Sequence, residues 1–256
     1  MKKSNQESGH AKNVAGFKTL TIGVVSYGTK YKPSNDRISV LNLQTQYTDG
    51  SAAKIDTDNM LKTHRDNILD RHNLFKPIKK LSTRVLRALK TSDVDDGIIE
   101  QAKAFVYKIR GERMKPLPKL ATAMVSETVN AVTAAVIVTH SVSQQSYTNM
   151  VEHINGLLIV LKGETNYDPN ETDLTVLSLT TLAAGMKQSN EDCDTGLFNY
   201  NKSVNLRNSA LYAPKLGIYD TQMTVKNYIS QLFGLQSPEY KLVMKIKFRK
   251  LIDIIK

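Results

Sequence analysis

The chain has 256 residues, 41% of them hydrophobic, with 35 Lys and Arg against 24 Asp and Glu for a net charge of +11. That composition excludes a disordered chain and leaves room for one large or two small domains. A lone cysteine, Cys193, excludes an internal disulfide and points to a reducing compartment, with the cytoplasm as the expected location.

The opening residues, Met1-Lys2-Lys3 followed by Ser-Asn-Gln-Glu-Ser-Gly-His, are too polar for a secretory signal. Val14, Phe17, Leu20 and Val24, spaced by three and four, predict a helix over 11–27. A loop with Gly28 and Tyr31-Lys32-Pro33 follows, and Ser34, Asn35 and Asp36 supply N-cap chemistry. A long helix over 36–75 comes next, with Asp49-Gly50-Ser51 as its one weak point. Forty residues at about 1.5 Å each reach about 60 Å, and such a helix needs partners along its length. Two shorter helices, 78–92 and 97–111, close this first unit.

Pro116 and Pro118 mark a break, and Leu120–Ser143 reads as a connecting helix within a linking segment, 114–146. Its most apolar run, Ala131–Thr139, falls short of the roughly 20 residues of a membrane span. Helices over 146–163, 172–212, 215–233 and 238–250 then follow, and their order repeats that of the first unit.

The repetition is visible in the letters. Tyr31–Leu43 (YKPSNDRISVLNL) matches Tyr167–Leu179 (YDPNETDLTVLSL) at an offset of 136. The same offset aligns Ile22–Tyr31 with Leu158–Tyr167 and Arg71 with Arg207, and an offset of 137 aligns Phe105–Arg110 with Leu242–Lys247. Helical periodicity alone does not place Tyr-x-Pro in a loop twice. The expected fold is therefore all-α. It is a pseudo-twofold helical bundle from tandem duplication of a roughly four-helix unit, with long helices, repeat units at 1–113 and 147–256, and a connector between them. Tyr31 and Tyr167 are expected to pack over their loop prolines.

Motifs for chemistry are absent from the sequence. No HExxH, GxxxxGK[ST], GxGxxG or GxSxG occurs, and the five histidines lack metal-ligand spacing. Asp192 and Asp194 flank Cys193, and carboxylates beside a thiol disfavour a nucleophile. The expectation is no catalytic residue, metal, cofactor or small-molecule substrate.

Charge is unevenly spread. Residues 71–120 hold 13 Lys and Arg against 5 acids, residues 121–200 hold 2 against 9, and residues 201–256 hold 10 against 3. Lys76, Lys80, Arg84 and Arg87 form one basic stripe on the first short helix, opposite Ile78, Leu81, Val85 and Leu89. Shifted by 136, the stripe falls on Tyr212, Leu216, Asp220 and Met223, so the second copy lacks it. Lys108, Arg110, Arg113 and Lys115 form a second basic group, and Lys241, Lys245, Lys247, Arg249 and Lys250 a third. Such groups suit a polyanion backbone, or the acidic region 164–194 of this chain. Three functions follow in order. The first is a non-enzymatic scaffold or assembly protein acting through protein contacts or self-association. The alternative is sequence-independent nucleic-acid binding through a basic helix face. The third is a helical membrane-active protein that exposes 131–139.

Overall fold

The computed structural model describes residues 5–112 and 145–250. The connecting helix expected over 114–146, the apolar run 131–139, and the basic residues Arg113 and Lys115 lie outside the described residues. Among the described residues every regular element is helical: α1 (Asn5–Ser26), α2 (Val40–Phe75), α3 (Ile78–Thr91), α4 (Asp96–Arg110), α5 (Tyr147–Lys162), α6 (Val176–Tyr212), α7 (Ile218–Phe233) and α8 (Pro238–Lys245).

The helices divide into two compact units that do not follow the sequence halves. Unit 1 contains Met1–Asp66 and Asp194–Lys256, and unit 2 contains Asn67–Cys193. In unit 1, α1 packs on α7, and α7 on α8. Its core holds Phe17, Leu20, Val24, Leu43, Leu211, Ile218 and Ile229. In unit 2, α4 packs against both α3 and α5 around Ile78, Leu89, Ile109, Leu161 and Met186. Each unit thus takes its first helix from one half of the sequence and its closing pair from the other.

The buried positions recur. Val14, Phe17, Leu20, Thr21 and Val24 of α1 are buried, and so are the α5 residues 137 further on, Val151, Ile154, Leu157, Leu158 and Leu161. In α2 the buried Leu43, Gly50, Thr57 and Phe75 correspond to residues 136 further on that are also buried in α6, Leu179, Met186, Cys193 and Leu211. In α3 the buried set Ile78, Ser82, Val85 and Leu89 recurs in α7 as Ile218, Gln222, Val225 and Ile229, now 140 further on. The offset grows because the linker before α7 (213–217) is longer than the one before α3 (76–77).

Several local expectations change: α1 begins at Asn5 rather than 11, and α7 at Ile218 rather than 215. The long helices start four residues later than periodicity implies, because 3-10 turns, Asp36–Ile38 and Thr172–Leu174, come first. Asn35 caps the first of these by accepting from the Arg37 amide. Gly50 does not interrupt α2. It is buried where Ile218 approaches so closely that a Cβ would lie 2.5 Å from its Cδ1. The last helix stops at Lys245 rather than 250, with Ile246 in an extended conformation. Tertiary bonds outcompete the helix there: Lys226 Nζ donates to the Ile246 carbonyl at 2.7 Å, and Asn13 bonds both the amide and the carbonyl of Arg249 at 2.9 and 2.7 Å.

The two tyrosines close their loops by hydrogen bonding. Tyr31 Oη donates to the Ile38 carbonyl at 2.9 Å and Tyr167 Oη to the Leu174 carbonyl at 2.8 Å, both buried. Tyr31 also meets Tyr228 edge-on, with ring centroids 5.1 Å apart. Burial pushes the Tyr167 hydroxyl up to about 12, with Glu171 and Asp173 adding to the shift. Burial raises Tyr31 as well, helped by Tyr228. A folded pKa above the unfolded value of about 10 means stability is intact below pH ~10 and lost as pH climbs through the folded value. Alkaline unfolding is expected to steepen between pH ~10 and ~12. Tyr31→Phe/Tyr167→Phe is expected to flatten that loss while costing about 1–2 kcal/mol per site at neutral pH, because each strands a buried carbonyl. Circular dichroism melts across pH check both signs.

Candidate basic interface on α3

The α3 helix begins directly after Pro77, whose missing N–H is harmless at a helix start. Its apolar residues and Ser82 turn into the unit 2 core, which leaves Lys76, Lys80, Arg84 and Arg87 all exposed. Leu81 does not belong to the buried stripe. It is half-buried and borders a groove.

Arg84 is held in place. Its Nη1 contacts Asp173 Oδ2 and its Nη2 donates to Oδ1 at 3.1 Å, a two-pronged grip on the 3-10 turn Thr172–Leu174. Both partners are half exposed, so the pair contributes orientation more than stability. Part of the basic stripe is therefore answered by the chain's own acidic region.

Open grooves lie on both sides of this pair. One, of about 510 Å³, has Lys80 on its rim and Pro77, Leu81, Ser178 and Leu182 as its mostly apolar wall, with Arg84 and Asp173 at one end. The other, of about 490 Å³, sets Arg84 and Arg87 of α3 across from Asp168, Asn170 and Glu171 of the loop before α6. The half-buried Leu81 and Leu182 favour an apolar guest in the first groove, and the charged rim selects its sign.

The remaining basic residues divide between the units. Lys108 lies over the Phe105 ring, 5.5 Å from its centroid, and Arg110 pairs with Glu112 at 2.6 Å, both in unit 2. The Arg110 carbonyl accepts from Lys79 at 3.3 Å, which ties the end of α4 to α3. Lys245, Lys247, Arg249 and Lys250 are exposed in unit 1. The third group therefore belongs to a different unit from the α3 stripe and from Lys108 and Arg110. At the 140 offset set by burial, the α3 stripe corresponds to Leu216, Asp220, Thr224 and Asn227, so the basic row is specific to unit 2 in this register too.

Among the described residues no three His, Cys, Asp or Glu side chains gather as a metal site, and no helix is long and apolar enough to cross a membrane. Cys193 is buried in α6. The chain matches no protein-family model, no curated protein and no solved structure.

Sequence reasoning pointed to the acidic region 164–194 as a partner for the basic block but could not single out Asp173. The signal was present in the Tyr-x-Pro repeat, since Asp173 stands at the position of Arg37. It also gave no sign of the grooves, which no motif marks.

Proposed function

We propose that the chain is a duplicated, non-enzymatic helical scaffold that works through protein–protein contacts, with the α3 groove of unit 2 as a docking site. The carrying observation is a difference between two corresponding places. In unit 1, Arg37 grips the Lys215 carbonyl and donates to Thr224 Oγ1 at 3.1 Å, while Gln46 grips the Leu216 carbonyl. Arg37 and Gln46 hold the chain's own linker, 213–217, and Thr224 of α7 steadies Arg37. Their counterparts in unit 2 are Asp173, Leu182 and Arg84, at offsets of 136 and 140, and all three border the open groove. The linker there is only Lys76-Pro77, so the position is left for another chain.

The chemistry of that chain follows from the lining. An apolar side chain suits Leu81 and Leu182, and flanking carboxylates suit Lys76 and Lys80. The acidic block 121–200 of a second copy carries this sign of charge. The long helices add support. From residue 51 to 74, α2 buries only Thr57, and Ile55, Leu69, Leu197 and Phe198 stand exposed on α2 and α6. Exposed apolar side chains on long helices suit a protein scaffold. The recurrence of buried positions supports duplication as the origin of both units.

Lys80→Glu/Arg87→Glu tests the reading. Light scattering at low salt is expected to find fewer associated molecules than in the unchanged protein, with an unaltered melting temperature because both side chains are exposed. Unchanged association in the double variant would remove the groove from the reading.

A further inference from the structure

Unit 1 carries nearly all of the net charge. It holds 20 Lys and Arg against 10 Asp and Glu, whereas unit 2 holds 15 against 14, so +10 of the total +11 belongs to unit 1. Part of this excess is gathered by the segment that follows α8. That segment leaves the helix at Ile246 and lies along α1, with Ile246 and Phe248 against Gly16 and Arg249 paired through its backbone to Asn13. Ile246 and Phe248 turn toward the unit 1 core, so the alternate residues Lys247 and Arg249 face solvent. Lys226 of α7 reaches the same place, bonding the Ile246 carbonyl and sitting 5.1 Å above the Phe248 ring. Lys12, next to Asn13 in the sequence, and Lys245, at the end of α8, are exposed.

We infer that Lys12, Lys226, Lys245, Lys247, Arg249 and Lys250 form a binding surface for the phosphate backbone of a nucleic acid. Among the described residues none of these six has an ion pair, unlike Arg84 and Arg110 in unit 2. Like charges stand together at a cost. Burial lowers the Lys226 pKa, and the neighbouring Lys247 lowers it further. Cations packed side by side without carboxylates are relieved by an external polyanion, which releases counterions on binding. A nucleic acid is favoured over an acyl surface by the aromatic rings in the patch. Lys226 covers Phe248, and Lys250 lies over Tyr219 at 6.0 Å, so the ring faces present charge rather than apolar area. Contacts of this kind go to phosphates and read no sequence. The surface lies in unit 1 and goes beyond the α3 reading, which it neither needs nor supports.

Fluorescence anisotropy of the whole protein with a labelled mixed-sequence oligonucleotide, single-stranded and duplex, tests this across a salt series. Binding is expected with both forms. Lys247→Gln/Arg249→Gln is expected to weaken it at least tenfold and to lower the slope of log K against log salt by about 1.4–1.8, the value for two lost phosphate contacts. Lys62→Gln/Lys187→Gln removes the same charge from two cations already paired with Asp66 and Glu191, and is expected to bind as the unchanged protein does. Lys12→Glu weakens binding without touching the terminal segment, which separates loss of the surface from loss of that segment's docking. No binding at low salt, or equal losses in the 247/249 and 62/187 variants, overturns the inference. Leu242 and Met244 are exposed on α8, so vesicles of phosphatidylserine in phosphatidylcholine form a further arm. Capture by vesicles without oligonucleotide binding overturns it too.

Discussion

Phe17→Ala is expected to cost about 3–5 kcal/mol, the largest loss available from a single side chain in unit 1. Phe17 is fully buried, and its ring fills the centre of a core built with Leu20, Val24, Leu211 and Ile218. Truncation removes the transfer free energy of the ring and leaves a cavity that rigid helices close only in part. Denaturant titration checks this as a lower midpoint at an unchanged slope. A loss below 1 kcal/mol would mean that the core of unit 1 is not packed as described.

Gly217→Ala is expected to be the next most damaging change, at about 3 kcal/mol, for the opposite reason. Gly217 caps the start of α7 in an ordinary backbone conformation, so strain in φ is not the issue. A Cβ there would lie 2.7 Å from the amide nitrogens of Tyr212 and Ala213 and 2.8 Å from the Leu211 carbonyl carbon. Those are backbone atoms at the end of α6 and have no rotamer to move into. Gly23→Ala is the matched contrast. Gly23 lies inside α1 with only the Tyr27 hydroxyl within 4.0 Å, and Ala there is expected to stabilise by about 0.5–1 kcal/mol through reduced chain entropy. Thermal melts of the pair are expected to shift in opposite directions.

Much of the fold was legible in the letters, because helical period is a local property. Val14, Phe17, Leu20 and Val24 are all buried, as their spacing implies, and α3 and α4 end within about a residue of their expected ends. What the sequence could not carry was the pairing of helices. Nothing in α1 says that it packs on α7 and not on a helix of its own half, since apolar stripes of similar width are interchangeable until loops and volumes decide. The end of α8 was misread for a related reason. FRK at 248–250 continues a helical pattern well, but Asn13, more than two hundred residues away, claims the backbone of Arg249. Tertiary bonds override propensity at a helix end, where the cost of unwinding is smallest.

The basic stripe on α3 was legible as a row of charges, and all four members are exposed. Its grooves were not: the one lined by Pro77 borders a linker three residues shorter than its counterpart, a difference with no residue-level signature. The unit 1 surface was half visible. Lys245, Lys247, Arg249 and Lys250 were apparent as a terminal cluster, whereas Lys12 and Lys226 join it only through the antiparallel course of the last segment along α1.

The central claim is that the protein works by docking a partner chain, with a second copy as the occupant closest at hand. Light scattering of the purified protein during size exclusion, at about 0.1 M and about 1 M salt, addresses it most directly, because the screening length falls from about 10 Å to about 3 Å between them. The account predicts a mass above that of one 28.6 kDa chain at the lower salt, falling toward the single chain at the higher. A single chain at both salts, at concentrations up to the solubility limit, would contradict self-assembly through charged grooves.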